Sequence, residues 1–169
     1  NISFLPVALL KRLSMRSILL SLILVLPFHI LPAQQALNFD GVDDYVQTLN
    51  PGPQGAAPRS VEAWVKTGVL STQRVIVDWG EMSPLGSRFT LNMIQGFPRI
   101  EVGGSGNTGA LFIADTQWHH IAAVYNPSAP LNFFLYVDGQ LDFNTNLATP
   151  VNTSGINGVI IGRRNDGIN

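Results

Sequence analysis

Trp118-His119-His120-Ile121-Ala122-Ala123-Val124-Tyr125, followed a few residues later by Phe133-Phe134-Leu135-Tyr136-Val137-Asp138-Gly139, is the stretch that decides the fold. Both runs are short and rich in aromatic and β-branched residues. The second ends in Asp-Gly, which supplies the positive φ that a tight hairpin requires. In the first run Trp118, His120, Ala122 and Val124 alternate with His119, Ile121, Ala123 and Tyr125. In the second, Phe133, Leu135 and Val137 alternate with Phe134 and Tyr136. A strand with one wet face would alternate apolar with polar. Strands apolar on both faces are central, covered on one side by a partner sheet and on the other by loops or a groove.

Outward from this hairpin the same grammar continues. From residue 36 on, short apolar runs are separated by Gly, Pro, Asn and Asp, and no convincing helix pattern occurs. Strands are predicted at 36–39, 44–48, 60–67, 73–79, 88–94, 97–102, 110–114, 118–126, 132–138, 141–146 and 158–163. That spacing predicts an all-β, two-sheet antiparallel sandwich. Asp40-Gly41 reads as a hairpin turn, Gln95-Gly96-Phe97-Pro98 as a hairpin loop, and Gly103-Gly104-Ser105-Gly106-Asn107 as a flexible surface loop. Residues 50–58 are a Pro/Gly-rich connection too short to link domains. Phe39, Val61, Ala63, Val65, Ile121, Ala123, Leu135, Val137 and Ile161 are expected in the core.

The ends differ sharply in composition. Residues 1–33 hold Lys11, Arg12 and Arg16 with no acid and no glycine, whereas residues 34–169 hold seven Lys/Arg, all eleven acids and all sixteen glycines, a net charge of 7 − 11 = −4. Met15-Arg16-Ser17, an almost wholly apolar run from Ile18 to Leu31, then Pro32-Ala33 before Gln34-Gln35 have the layout of a secretory signal peptide. The run is shorter than the roughly 20 residues of a membrane span. Residues 1–33 are thus predicted to be an upstream extension and a helical signal peptide, contacting a membrane only during export. Residues 34–169 form one domain of a secreted or cell-surface protein. Seven scattered cations make no basic patch, which argues against a nucleic-acid partner. The absence of cysteine excludes disulfides and thiol chemistry.

Five stretches in order carry a resemblance: Ala36-Leu37-Asn38-Phe39-Asp40-Gly41-Val42-Asp43-Asp44-Tyr45-Val46, Ser60-Val61-Glu62-Ala63-Trp64-Val65-Lys66, Trp118 to Tyr125, Leu135-Tyr136-Val137-Asp138-Gly139, and Ile160-Ile161-Gly162-Arg163-Arg164. Over about residues 36–167 the chain resembles the laminin-G-like jelly-roll domains of the concanavalin A-like lectin/glucanase superfamily. The resemblance implies a jelly roll acting as a non-catalytic extracellular recognition module, with a glycan or surface-protein ligand and with calcium as an occasional structural ion. The alternatives are an accessory domain of a secreted enzyme and a purely structural spacer. The family pattern continues with a closing strand, so the chain, which stops at Asn169, is expected to be C-terminally incomplete and joined to further domains.

No enzymatic constellation is legible. Retaining glycoside hydrolysis requires two carboxylates about 5–5.5 Å apart, which one strand supplies at i, i+2, i+4 spacing. Glu62 and Glu101 are lone acids in their strands, and Asp78-Trp79-Gly80-Glu81 turns a corner that separates its carboxylates. Adjacent His119 and His120 point to opposite faces of a strand and cannot share a metal, so one is expected in the core and one at the surface. Trp118 reads as a core or sheet-edge anchor rather than a sugar platform. Asp40, Asp43 and Asp44 beside Gly41 offer oxygen ligands for calcium, with Asp166 as a possible fourth. Trp79, Arg88, Asn92, Arg99, Asn107 and Asn165 are the candidate ligand-binding residues, an aromatic platform with amide and guanidinium hydrogen bonders.

Overall fold

A computed structural model describes residues 36–166. The predicted signal peptide and its helix lie outside the described residues. The described residues hold ten strands and no helix: β1 Val46–Gln47, β2 Arg59–Lys66, β3 Arg74–Gly80, β4 Arg88–Ile94, β5 Phe97–Val102, β6 Ser105–Thr108, β7 Trp118–Tyr125, β8 Phe133–Val137, β9 Gln140–Thr145 and β10 Ile160–Ile161. They form two antiparallel sheets, a six-stranded one ordered β1-β10-β3-β4-β5-β6 and a four-stranded one ordered β2-β7-β8-β9.

The period-2 pattern explains the sandwich. Val77, Trp79, Phe89, Leu91, Met93, Ile100 and Val102 point from the larger sheet towards Ile121, Ala123, Tyr125, Phe133, Leu135 and Val137 of the smaller, and Ile113, Leu147 and Val151 plug the core from connecting segments. Phe89, Leu91, Ile100, Ile121, Phe133 and Leu135 are wholly buried, each worth about 1.5–3 kcal/mol of hydrophobic transfer. Of the predicted core set, Ile121, Ala123, Leu135 and Val137 are buried. Phe39, Val61, Ala63, Val65 and Ile161 are only partly so. β2 is an edge strand, and Ile161 lies in a two-residue strand beside the exposed β1.

Five local readings are corrected. Asp40-Gly41 is a bend, not a hairpin turn between paired strands, and residues 36–39 are not a strand. The Val42 amide donates to Asp40 Oδ1 and the Asp40 amide to Asp44 Oδ2, so the side chains capture the backbone. Gly103 and Gly104 form a two-residue turn with φ of 48° and 92°, and Ser105–Thr108 pairs with β5 rather than forming a flexible loop. The preceding turn, Gln95-Gly96, is also only two residues, because Phe97 and Pro98 already belong to β5. Residues 110–114 are not a strand, since Asp142 Oδ1 accepts the Ala110 and Leu111 amides where a ladder partner would stand. Asp138-Gly139 is the two-residue hairpin turn expected, with both φ positive. Arg59 fastens the Pro/Gly-rich connection through bonds to the Ala57 and Gly55 carbonyls and to Thr153 Oγ1 at 2.6 Å.

Candidate functional site

The face of the six-stranded sheet turned away from the core is polar. Register places Asp78, Thr90 and Glu101 in one row across β3, β4 and β5, with Asn92 and Arg99 in the next. Arg88 spans the row. Its Nη2 donates to Glu101 Oε1 at 2.7 Å, its Nη1 to Asp166 at 3.4 Å, and its Nε lies 3.9 Å from Asp78 Oδ1. Arg99 donates to the other Glu101 oxygen at 2.6 Å, and Gln73 reaches the same atom at 3.3 Å. Arg164 pairs with Asp166 and lies 3.7 Å from Glu101. The Asn165 amide donates to Asp78 Oδ2, and its side chain to the Gly80 carbonyl. Three cations and three carboxylates thus form one network that straps residues 164–166 across β3.

The electrostatics follow from burial and partners. Burial pushes the Asp78 carboxyl above its ordinary value, against the opposing pull of Thr90, the Asn165 amide and the two arginines. Burial also pushes Glu101 up, but the guanidiniums of Arg99 and Arg88 outweigh it and leave the carboxyl below its usual range. Asp78 and Glu101 are two acids on one face that reading strands singly could not bring together. Arg88 lies between them, hydrogen-bonded to Glu101 and 3.9 Å from Asp78. Asn92 is wholly buried, and neither amide atom has a hydrogen-bond partner.

Of the candidate ligand residues, Arg88, Asn92, Arg99 and Asn165 therefore converge on this face. Trp79 does not: it is a core residue, 4.8 Å from Phe89 between ring centroids, with Nε1 bonded to the Pro53 carbonyl. Nor does Asn107, which pairs with Ile100 and so lies on the core-facing side of β6.

The acidic turn brings one oxygen each of Asp40, Asp43 and Asp44 within 4.8 Å of one another, all exposed. Three carboxylate oxygens suit a hard cation such as calcium. Two of these side chains already bond to the turn's own backbone, and Arg74 Nη1 approaches the Gly41 carbonyl at 3.4 Å. Asp166 belongs to the arginine network and not to this group.

His119 is not a core residue. It lies near one end of the smaller sheet, with Nδ1 2.8 Å from Asp138 and Nε2 3.0 Å from Asp115. The bond to Asp138 raises its pKa, burial opposes the rise, and the bond to Asp115 adds to it. His120 points to the opposite face, as strand geometry requires, and its ring centroid lies 5.3 Å from that of Trp64. Trp64 and Trp118 are 65% and 49% exposed, so Trp118 is not a core anchor. Both stand on the face of the smaller sheet turned away from the core, a grouping that sequence reasoning missed. The alternation of β2, with Ser60, Glu62, Trp64 and Lys66 all exposed, was the signal available for it.

A family model described as the Concanavalin A-like lectin/glucanases superfamily, of laminin-G type, matches residues 40–169. No curated protein matches the chain. Among solved structures, domains LG4-5 of the mouse laminin alpha1 chain superpose with a TM-score of 0.57 at 14% identity, covering 73% of this chain and 33% of that one. A putative carbohydrate binding protein from Bacteroides ovatus gives 0.52 at 16%, covering 70% and 34%. Domain 4 of AbnA, a GH43 extracellular arabinanase from Geobacillus stearothermophilus, in complex with arabinotriose, gives 0.50 at 20%, covering 69% and 56%. The chain therefore spans about a third of the first two and just over half of the third. With its two-sheet antiparallel fold and a match over most of its length, this chain belongs to the laminin-G-type family of the concanavalin A-like lectin/glucanases superfamily.

Proposed function

We propose that this chain is a non-catalytic extracellular module that recognises carbohydrate. The observation that carries this reading is the state of Asp78 and Glu101. They share a face of the six-stranded sheet, Glu101 paired with Arg88 and Arg99, and Asp78 held by Thr90 and the Asn165 amide. A lectin-type sandwich whose facing acids are buried and held in this way favours binding over cleavage. The similar Bacteroides protein, described as carbohydrate binding, and the arabinanase domain holding arabinotriose support a glycan as ligand. The apolar run after Met15 supports export. Such a module would hold its polypeptide on a surface, raising the local concentration of linked domains. The arabinanase neighbour also favours a second reading, an accessory domain serving a secreted enzyme.

Calcium forms part of the proposal. Asp40, Asp43 and Asp44 would hold the ion, water and carbonyls would complete its shell, and the ion would supply a charge that stiffens the turn. A glycan array probed with the protein, paired with a reducing-end assay on every glycan bound, tests the function. Binding without new reducing ends is expected. Release of reducing ends, or no binding across the array, would overturn the reading.

A further inference from the structure

Trp64, Trp118, His120 and Tyr136 make the outward face of the smaller sheet unlike an ordinary solvated surface. Trp64 and Trp118 are 65% and 49% exposed and lie on adjacent strands. Register pairs Trp64 with His120 and Lys66 with Trp118, so the two indoles are diagonal neighbours. Such positions are about 7 Å apart, the scale of one sugar ring. Next along the face, Ala122 sits between Glu62 on β2 and Tyr136 on β8. A methyl group flanked by larger side chains makes a shallow trough, walled by Trp64 and His120 on one side and by Tyr136 on another. The Tyr136 ring is itself stacked with Phe134 at 6.5 Å.

We infer that this trough is the carbohydrate-binding surface of the module and that Trp64 and Trp118 are its stacking platforms. The inference rests on the proposed glycan-binding function and assigns it a place. The chemistry selects the occupant. Flat rings with polar tips and rims match the C–H faces and peripheral hydroxyls of a pyranose or furanose chain. Glu62, Lys66, His120 and the Tyr136 hydroxyl stand where those hydroxyls would lie. Glu62 and Lys66 balance in charge, which suits a neutral oligosaccharide and gives no attraction for a polyanion such as nucleic acid. Val124, Phe134 and Leu141 lie on the same face, and the sedimentation arm of the test below separates a glycan from a second copy of the chain as its occupant. Exposing two indoles to water has no structural benefit in an edge strand and its neighbour, and apolar patches of this kind mark binding sites.

The test uses the protein and its Trp64→Ala, Trp118→Ala and Glu62→Gln variants. The probes are neutral arabino-, gluco- and galacto-oligosaccharides, followed by titration calorimetry, with sedimentation of the free proteins alongside. All three substitutions lie on exposed positions, and unchanged melting certifies the fold. Each tryptophan substitution is expected to weaken binding of any recognised oligosaccharide about tenfold or more. Trp79, buried in the core, gives an internal fluorescence reference. Binding that survives both tryptophan substitutions would place the glycan elsewhere, overturning this inference while leaving the function intact. No binding of any probe by the unaltered protein would overturn both. Self-association that disappears on Trp64→Ala would make the face a contact between copies and would likewise overturn the inference.

Discussion

Replacing Arg88 with Met tests the arginine network where it is most concentrated. The side chain is 4% exposed and engages Glu101, Asp166 and Asp78 at 2.7, 3.4 and 3.9 Å. Removing one partner of a buried pair costs about 3–5 kcal/mol, because the other charge stays buried without compensation. Glu101 retains Arg99 and Gln73, and Asp78 retains Thr90 and the Asn165 amide. The low end therefore applies, about 3 kcal/mol. For a domain of this size that lowers Tm by about 10 °C. Urea denaturation followed by tryptophan fluorescence measures the loss, and a double-mutant cycle with Glu101→Gln isolates the pair. The coupling should be about 1 kcal/mol or more, the double variant losing less than the two single losses together. The pH dependence has a definite sign. Asp78 is raised by burial, so the cost of holding it ionised falls away as pH drops through its folded value, and Arg88 is one of the groups holding that value down. The gap between Arg88→Met and the unaltered protein should therefore narrow towards acid. A loss below about 0.5 kcal/mol, within the range of ordinary surface substitutions, or coupling near zero, would refute the reasoning.

His119 gives a second pH signature. Its folded pKa is raised, so its contribution is complete below 6.5, the ordinary imidazole value, and is lost as pH rises through the folded value. The pKa of Asp138 is lowered by the bond to His119. That of Asp115 is lowered first by the bond from the Gln117 amide and then by His119. Their share is therefore present above 3.8 and lost as pH falls through the lowered values. His119→Ala should accordingly lower Tm most between about pH 4 and 6.5 and least above pH 8, as read by melting curves across pH. Gly106→Ala would set a methyl group 1.7 Å from Arg99 Nη2, displacing the guanidinium from Glu101. It should cost about 1–2 kcal/mol in urea denaturation, and Arg99→Met in the same chain should relieve most of that loss. If calcium binds the acidic turn, millimolar calcium should raise Tm by several degrees over chelator, since a ligand at 100-fold over its Kd adds about 2.7 kcal/mol, and Asp40→Ala should abolish the difference.

What the sequence disclosed depended on side-chain alternation. β2, β4, β5, β7 and β8 were legible because large apolar residues recur every second position, and the Asp138-Gly139 turn because its chemistry is local. β6 was not, because Ser105-Gly106-Asn107-Thr108 has almost no apolar side chain, and its pairing comes from the glycine turn and the neighbouring β5 ladder. Residues 110–114 misled in the opposite way. Ile113 is a core residue, but the segment takes its hydrogen bonds from Asp142 some thirty residues on. The arginine network escaped for the same reason: Asp78 and Glu101 meet only through the register of β3, β4 and β5, which no single strand encodes. Arg88, Asn92, Arg99 and Asn165 were nonetheless singled out as polar residues in strands or at their ends, and they converge. Trp79 was chosen for its ring alone, and it went to the core.

Carbohydrate recognition without catalysis is the central claim, and one measurement meets it directly. Titration calorimetry of the protein with the neutral oligosaccharides it captures, with chromatography of the recovered ligand, reads binding and turnover on the same sample. The account predicts saturable heat and an oligosaccharide recovered intact. Shortened oligosaccharides in the recovered ligand, or no saturable heat with any member of the panel, would contradict it.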